Sequence, residues 1–243
     1  MATFRDPGSA ARRVLDLSLA HSTGLSPERV SAGLEALLDG MVGAPLERLA
    51  ERVRARQAQE TPVPRSPALA ILAGNLPGLA VQPLLPAWLL GRPMLLKSPS
   101  AEPFFAPVLL ELLRNHLATA AEATAAVTWS GGEPAFDAAA LGTDGPVIVY
   151  GSDATVEHFR PLAGRRLVPF GHRTSVAVVA REAAHDPALR TEAAAGLARD
   201  IALFDQRGCL SVQAVFVEGA RGEAEELAAA LGSALQEMAA AIP

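Results

Sequence analysis

Cys209 is the only cysteine in the chain, and its surroundings suit a nucleophile. It lies in the run Leu203–Ser211, where a predicted helix ends, Gly208 follows and a strand begins. Arg207 lies two residues before it, and nearby positive charge favours the thiolate. A thiolate can take up an acyl group, which hydride can then reduce. A lone cysteine is also often a buried small hydrophobe, so a structural role is the alternative interpretation.

Asn75 is a second candidate for chemistry. A strand-like run ends at Leu72, Gly74 permits a tight turn, and Asn75 presents an amide at the predicted sheet edge. An amide N–H is a suitable donor to a developing oxyanion. Asparagine is also common in turns for local reasons, so both interpretations stay open for this segment.

Lys97 ends a buried apolar strand predicted over Pro93–Leu96, and small hydroxyl residues follow it at Ser98 and Ser100. A parallel sheet places the end of such a strand beside a nucleotide ribose or phosphate. The two hydroxyls can add hydrogen bonds there. A solvated lysine is the alternative interpretation.

Gly151 and Ser152 follow another apolar run, Pro146–Tyr150, and precede a helical pattern. The free backbone N–H groups at a helix N-terminus suit a pyrophosphate. The region lacks the G-x-G-x-x-G pattern, and a plain helix cap is the structural alternative.

The remaining composition argues against several other functions. The five histidines have no metal-site spacing, so no metal is expected. Acidic and basic residues, 26 and 21 in number, are interspersed, so no nucleic-acid partner is expected. The most apolar stretch, Pro67–Leu96, is broken by prolines and glycines, which argues against a membrane span. One cysteine allows no internal disulfide, so a reducing, cytoplasmic setting is expected.

The elements that must position these residues alternate between strands and helices after residue 66. Before it, residues 8–60 have helical patterns, with a helix start marked by Ser26 and Pro27, and a proline-rich connector follows at Thr61–Pro67. The alternation predicts an α/β fold with parallel strands and right-handed crossovers. The predicted strands of this sheet are Ala68–Leu72, Pro93–Leu96, Ala126–Trp129, Pro146–Tyr150 and Arg166–Phe170.

Jointly and in this order, the candidate segments resemble the aldehyde dehydrogenase superfamily. They are most similar to the fatty acyl-CoA reductases of the bacterial luminescence (lux) operon type, from about Pro67 to the end of the chain. The resemblance implies an aldehyde-dehydrogenase-like fold with a Rossmann-like parallel sheet, flanking helices and an incomplete second α/β domain. The matching residues are Ala73–Gly78, Leu96–Pro103, Tyr150–Asp153, Phe170–Ser175 and Asp205–Ser211.

The resemblance also implies an activity and a role for each candidate. The activity is the NAD(P)H-dependent reduction of an acyl-CoA or acyl-protein thioester to an aldehyde. Cys209 would attack the acyl group, and Asn75 with the backbone N–H of Cys209 would hold the oxyanion. Lysine and serine side chains would contact the ribose or its phosphate, and a Gly-Ser turn would lie beneath the pyrophosphate. The cofactor-binding residues implied in this way are Lys97, Ser98, Ser100, Gly151 and Ser152.

Two departures from the family pattern bear on the reaction. Aldehyde-oxidising members carry a glutamate base where this chain has Val168–His172, which contains none. Reduction of an activated acyl group is therefore favoured over oxidation of an aldehyde to an acid. No acidic residue follows Lys97 closely, which favours NADPH over NADH because a 2′-phosphate meets no repulsion. Glu102 is the acidic side chain that could still reach the ribose.

The third departure concerns length and domains. The proline-rich connector predicts a boundary that ends a helical segment over 1–66. The resemblance implies an NAD(P)-binding domain over 67–180 and the start of a catalytic domain over 181–243. In the last, a helix is predicted over Asp186–Phe204, and only one strand and one helix follow Cys209. The chain is therefore expected to be truncated, or to be completed by a partner or in a homo-oligomer. The alternative functions are a non-catalytic nucleotide-binding remnant and an oxidative aldehyde dehydrogenase.

Overall fold

A computed structural model describes residues 8–40, 42–59, 66–114 and 116–242. Its first three helices are α1 (Ala10–Thr23), α2 (Pro27–Asp39) and α3 (Ala44–Gln57). The hydroxyl of Ser26 accepts a hydrogen bond from the N–H of Arg29 at 3.2 Å, which confirms the predicted cap of α2. Most of the proline-rich connector predicted between the helices and the sheet lies outside the described residues.

Five parallel strands form the sheet, in the order β3-β2-β1-β4-β5. This confirms the predicted parallel α/β architecture, and each strand lies within two residues of its predicted bounds. The strand bounds are β1 (Ala68–Ile71), β2 (Met94–Ser98), β3 (Thr124–Thr128), β4 (Val147–Tyr150) and β5 (Leu167–Phe170). The intervening helices are α4 (Val81–Leu89), α5 (Phe105–Arg114), α6 (Ala118–Glu122), α7 (Pro134–Ala140) and α8 (Asp153–Ala163).

One face of this sheet carries a buried apolar cluster that fixes α8 against the strands. Alternate residues of β1 and β4 point to the same side, because successive side chains of a strand face opposite ways. Burial of each large side chain stabilises the fold by about 1.5–3 kcal/mol. The cluster comprises Leu69, Ile71, Ala140, Val147, Val149, Val156, Phe159 and Ala163, and Trp129 packs against it.

A second pair of parallel strands, β6 (Ser175–Val179) and β7 (Val212–Val217), forms a separate sheet. Helices α9 (Arg181–His185), α10 (Pro187–Ala202) and α11 (Arg221–Ala241) accompany it. Its core contains Val179, Ala184, Ala194, Leu197, Val212 and Leu227.

Internal contacts divide the chain into two units at positions that differ from the predicted boundaries. The first unit holds the described residues up to Gly24 together with Leu34–His172, and the second holds Leu25–Gly33 and the chain from Arg173 onward. Strand β6 belongs to the second unit because it pairs with β7, so the boundary falls at 172 rather than 180. Most of the N-terminal helical segment groups with the sheet instead of standing apart.

The helix predicted over Asp186–Phe204 is shorter in the structure. Asp186 caps α10 by accepting from two main-chain N–H groups at 2.8 and 3.1 Å. The helix ends at Ala202, and a 3₁₀ turn follows at Leu203–Gln206. Residues 204, 205 and 206 adopt φ values of 56°, 54° and 57°, a left-handed conformation that stops the right-handed helix. Periodicity alone did not predict this change of hand, since the apolar spacing continues through it.

Candidate functional site

The carboxyl ends of β1 and β4 meet where the strand order reverses, which is where open α/β sheets bind ligands. These strands are direct neighbours, with Ile71 opposite Val149. The turn containing Asn75 follows β1, and the turn containing Gly151 follows β4. The structure therefore brings two predicted segments to one sheet edge, and Asn75 is exposed there.

Lys97 lies near the end of the neighbouring strand β2 and is the only lysine in the sequence. Its side chain is largely buried, with 8% of the residue exposed. Its Nζ lies 5.6 Å from the centroid of the Trp129 ring, within the range of a cation–π contact. Burial lowers the pKa of Lys97, and the charge of Asp137 partly opposes that shift. A solvated lysine, the alternative interpretation, does not describe this residue.

Ser98 and Ser100 occupy different environments although they are two residues apart. Ser98 follows Lys97 in β2, so its side chain points to the opposite face of the sheet. Its hydroxyl is buried and has no hydrogen-bond partner within the part of the chain that the structure describes. Ser100 is exposed and donates to the main-chain carbonyl of Trp129 at 3.1 Å. Ser100 is thus on the Trp129 side of the edge, whereas Ser98 is not.

Gly151 and Ser152 begin the turn into α8. Ser152 caps this helix, accepting from the N–H of Thr155 at 3.3 Å. A Cβ on Gly151 would lie 2.9 Å from the side chain of Thr155, so a larger residue would force Thr155 or the turn to shift. Asp153 accepts from the N–H of His172 at 3.0 Å, which joins this turn to the end of β5. Its carboxylate places negative charge in the first turn of α8, next to the predicted pyrophosphate position.

The carboxylate of Glu102 is directed toward the main chain at the start of α5. One carboxylate oxygen accepts from the N–H groups of Phe104 and Phe105 at 2.9 and 2.8 Å, at the beginning of α5. The residue is 6% exposed, and burial raises the pKa of its carboxyl although these hydrogen bonds oppose the shift. Its role in the structure is to cap a helix.

Cys209 lies in the second unit, between the 3₁₀ turn after α10 and the start of β7. The residue is exposed, so the buried-hydrophobe interpretation does not describe it. Its main-chain carbonyl accepts a hydrogen bond from the hydroxyl of Ser175 at 2.7 Å, which ties the loop to the beginning of β6. Arg207, predicted to act on the thiol, lies 3.8 Å from the carboxylate of Asp205.

Asp137, whose charge acts on Lys97, makes two polar contacts that the sequence did not reveal. The carboxylate of Asp137 accepts from the indole N–H of Trp129 at 2.9 Å and contacts the ring nitrogen of His158 at 2.9 Å. Asp137 is 3% exposed, so it is not the solvated carboxylate that its position on an amphipathic helix suggests. His158 lies 21 residues later in the sequence, and no short-range spacing links the two.

Two expected features of the chain can be compared with the described residues. No group of three or more potential metal ligands occurs among them, and no helix among them is long and apolar enough to cross a membrane. Within Val168–His172, the stretch predicted to lack a glutamate base, Phe170 stacks on Tyr150 with ring centroids 4.6 Å apart.

Solved structures and curated sequences with similar features define the class of protein. A variant of indole-3-acetaldehyde dehydrogenase from P. syringae, solved with NAD+ and IAA, matches with a TM-score of 0.57 at 16% identity. The match covers 96% of this chain and 49% of that one. The fold is therefore that of the aldehyde dehydrogenases, as the sequence motifs predicted.

The family follows from the sequence comparison. Residues 25–243 match the acyl-CoA reductase (LuxC) family, and the chain belongs to it. A long-chain acyl-protein thioester reductase of Photorhabdus laumondii is 30% identical over 174 residues, which cover 68% of this chain and 34% of that protein. A second such reductase, from Photobacterium leiognathi, is 28% identical over 166 residues, covering 65% and 33%. The chain thus spans about a third of the length of these curated relatives.

Proposed function

We propose that this chain carries the nucleophile and the nucleotide site of an NAD(P)H-dependent reductase that converts an acyl thioester to an aldehyde. The substrate class is an acyl-CoA or an acyl-protein thioester. Membership of the acyl-CoA reductase family and the names of the curated relatives support this substrate class. The observation that carries the proposal is the exposed thiol of Cys209, the single cysteine, within the matched region.

The proposed reaction has two steps on Cys209. Its thiolate attacks the acyl carbonyl, a new thioester forms, and the donor thiol leaves and takes up a proton. A bound reduced nicotinamide supplies hydride to the acyl carbon. The resulting hemithioacetal on Cys209 collapses, which releases the aldehyde and regenerates the thiol. The amide of Asn75 and the backbone N–H of Cys209 are proposed to stabilise the oxyanion in both steps.

The nucleotide site is proposed at the carboxyl edge of the five-stranded sheet. Lys97 provides a cation at the end of β2, and Gly151 begins the turn into the N-terminus of α8. Ser152 and Ser100 are proposed to add hydrogen bonds from the surrounding loops. Ser98 was predicted to contribute as well, but its buried hydroxyl lies on the face of β2 opposite Lys97 and is left out of the proposed contacts.

NADPH is the proposed cofactor in preference to NADH. The acidic residue that could contact a ribose 2′-hydroxyl, Glu102, has its carboxylate turned toward the start of α5. The cation at Lys97 then favours a 2′-phosphate, since Lys binds phosphate as a point charge. A cytoplasmic location and completion of the catalytic domain by further chain or by a partner remain predictions.

Acylation of the single cysteine tests the proposal directly. The protein is incubated with a long-chain acyl-CoA and analysed by intact mass spectrometry. We expect an adduct with the mass of one acyl group that neutral hydroxylamine removes, because hydroxylamine cleaves thioesters and leaves amides at Lys97 intact. Cys209→Ser is the matched control and should give no hydroxylamine-sensitive adduct. Absence of the adduct on the unmodified chain would contradict the proposal.

Cofactor measurements distinguish the alternatives. A non-catalytic remnant would bind NADPH or NADH in calorimetry but would not acylate. An oxidative dehydrogenase would produce NADH from aldehyde, a reaction that is disfavoured because Val168–His172 contains no glutamate base. Binding of neither nucleotide would exclude the proposed nucleotide site.

A further inference from the structure

Lys97 and Trp129 lie on the same face of the sheet. Lys97 pairs with Val127 in the register between β2 and β3, and Trp129 follows two residues later. Residues two apart in an extended chain face the same side, so the indole is directed to the face that carries Lys97. The ammonium lies 5.6 Å from the ring centroid. The aromatic face thus provides the partner that a buried cation requires.

The orientation of this indole is itself fixed at several points. Its N–H donates to the carboxylate of Asp137 at 2.9 Å, and its ring stacks on Phe136 with centroids 6.1 Å apart. The hydroxyl of Ser100 donates to the main-chain carbonyl of Trp129. These contacts come from α7 and from the loop after β2, so two separate elements hold the residue.

Asp137 connects this arrangement to α8. It is 3% exposed, and its second oxygen contacts His158 at 2.9 Å. Its charge also acts on Lys97, opposing the lowering of the Lys97 pKa by burial. A buried carboxylate is costly unless it is paired. Here one oxygen of Asp137 accepts from Trp129 and the other contacts His158.

The choice of a lysine at this position is informative. Every other basic side chain among the 21 lysines and arginines is an arginine. An ammonium is a compact charge with rotatable donors, whereas a guanidinium is a broad planar fork. A compact ammonium can approach an indole face and a nucleotide oxygen at the same time.

From these contacts we infer that Trp129 and Asp137 are positioning residues for Lys97: Asp137 fixes the indole, and the indole face holds the ammonium toward the nucleotide. The inference names determinants of the nucleotide site and rests on the proposed function for the identity of the ligand. Trp129 and Asp137 act through Lys97. They therefore set how strongly the single lysine engages an anionic group such as a ribose 2′-phosphate.

The first experiment observes Lys97 without any cofactor. Protein labelled with ¹³C-lysine gives one side-chain Cε signal, because the chain has a single lysine. We expect its attached protons to be shifted upfield by the ring current of Trp129, and Trp129→Leu to abolish the shift. Trp88→Phe is the matched control, since the N–H of Trp88 donates instead to Thr124 at 2.9 Å, and it should leave the signal unchanged.

The same signal followed against pH separates charge from packing. Asp137→Asn keeps an acceptor for the indole N–H and removes the carboxylate charge. We expect the titration midpoint of Lys97 to fall further below 10.5 in this variant, because the opposing charge is lost, while the ring-current shift persists. Asp137→Leu should also reduce the ring-current shift. An unchanged midpoint in Asp137→Asn together with an unchanged shift in Trp129→Leu would overturn the inference.

The second experiment measures nucleotide binding by calorimetry. Trp129→Leu should weaken NADPH binding by about three- to tenfold and NADH binding less, which corresponds to the loss of one cation–π contact. Lys97→Met should weaken NADPH binding at least as much, whereas Trp88→Phe should not change it. If the unmodified protein binds neither nucleotide, the proposed function fails and the first experiment still tests the arrangement. If it binds NADPH and Trp129→Leu binds equally well, the inference fails and the proposed function stands.

Discussion

Replacing Glu102 with alanine should destabilise the first unit by about 2 kcal/mol. The carboxylate accepts from two main-chain N–H groups at 2.9 and 2.8 Å, and the second of these bonds is buried. Loss of a helix cap costs about 0.5–2 kcal/mol. An unsatisfied buried donor costs about 1–3 kcal/mol, and the two overlap because they describe the same amides. Glu102→Gln keeps an acceptor oxygen and should change stability by less than about 1 kcal/mol.

The pH dependence of the Glu102 effect has a definite sign. Burial raises the pKa of its carboxyl above 4.5, so the folded protein binds the proton more readily than the unfolded chain. The contribution of Glu102 to stability is therefore greatest below pH 4.5 and decreases as pH rises through the raised pKa. Relative to Glu102→Gln, the unmodified protein should lose stability as the pH rises from 4.5 through the raised pKa of Glu102.

Urea unfolding followed by tryptophan fluorescence provides the assay. Both tryptophans, Trp88 and Trp129, lie in the first unit, which also contains Glu102. Glu111→Ala is the matched control on α5, the helix that Glu102 caps: Glu111 is exposed and pairs with Arg114 at the surface, so its loss should cost less than about 0.5 kcal/mol. Equal stability of the two alanine variants, or equal losses in Glu102→Ala and Glu102→Gln, would refute the capping role. Glu102→Gln should also leave the NADPH-to-NADH affinity ratio unchanged.

Two pairs of substitutions test the backbone. Gly145→Ala should destabilise by about 1–3 kcal/mol or more, because a Cβ would overlap the main-chain carbonyl of Pro67, whereas Gly131→Ala has open space and should be near neutral in thermal unfolding. Gln206→Gly should stabilise the second unit by up to about 1 kcal/mol, since φ is 57° there and glycine adopts that conformation without strain. Gln206→Ala, which keeps the strain, should not; equal unfolding midpoints for the two Gln206 variants would contradict this account.

The nucleotide half of the candidate site was only partly predictable. Lys97 and Gly151 were identified because they end apolar strands, and parallel strands bring their carboxyl ends to one edge. Strand alternation implies that Lys97 and Ser98 point to opposite faces of the sheet, but the sequence motif grouped both as nucleotide-binding residues. The contact of Asp137 with His158 had no signal in the sequence, because the two residues lie on different helices at a sequence separation of 21.

The sequence by itself determined the alternation of strands and helices, the parallel sheet and the family, because these depend on local periodicity and on ordered short motifs. The predicted cap at Ser26 and the predicted strand after Cys209, observed as β7, reflect the same local rules. Only the tertiary structure decided that β6 belongs with β7, that Glu102 turns toward α5, and that Trp129 supports Lys97. Each of these depends on which distant groups satisfy a buried donor, acceptor or charge, and that pairing is set by packing across the sheet and not by spacing along the chain.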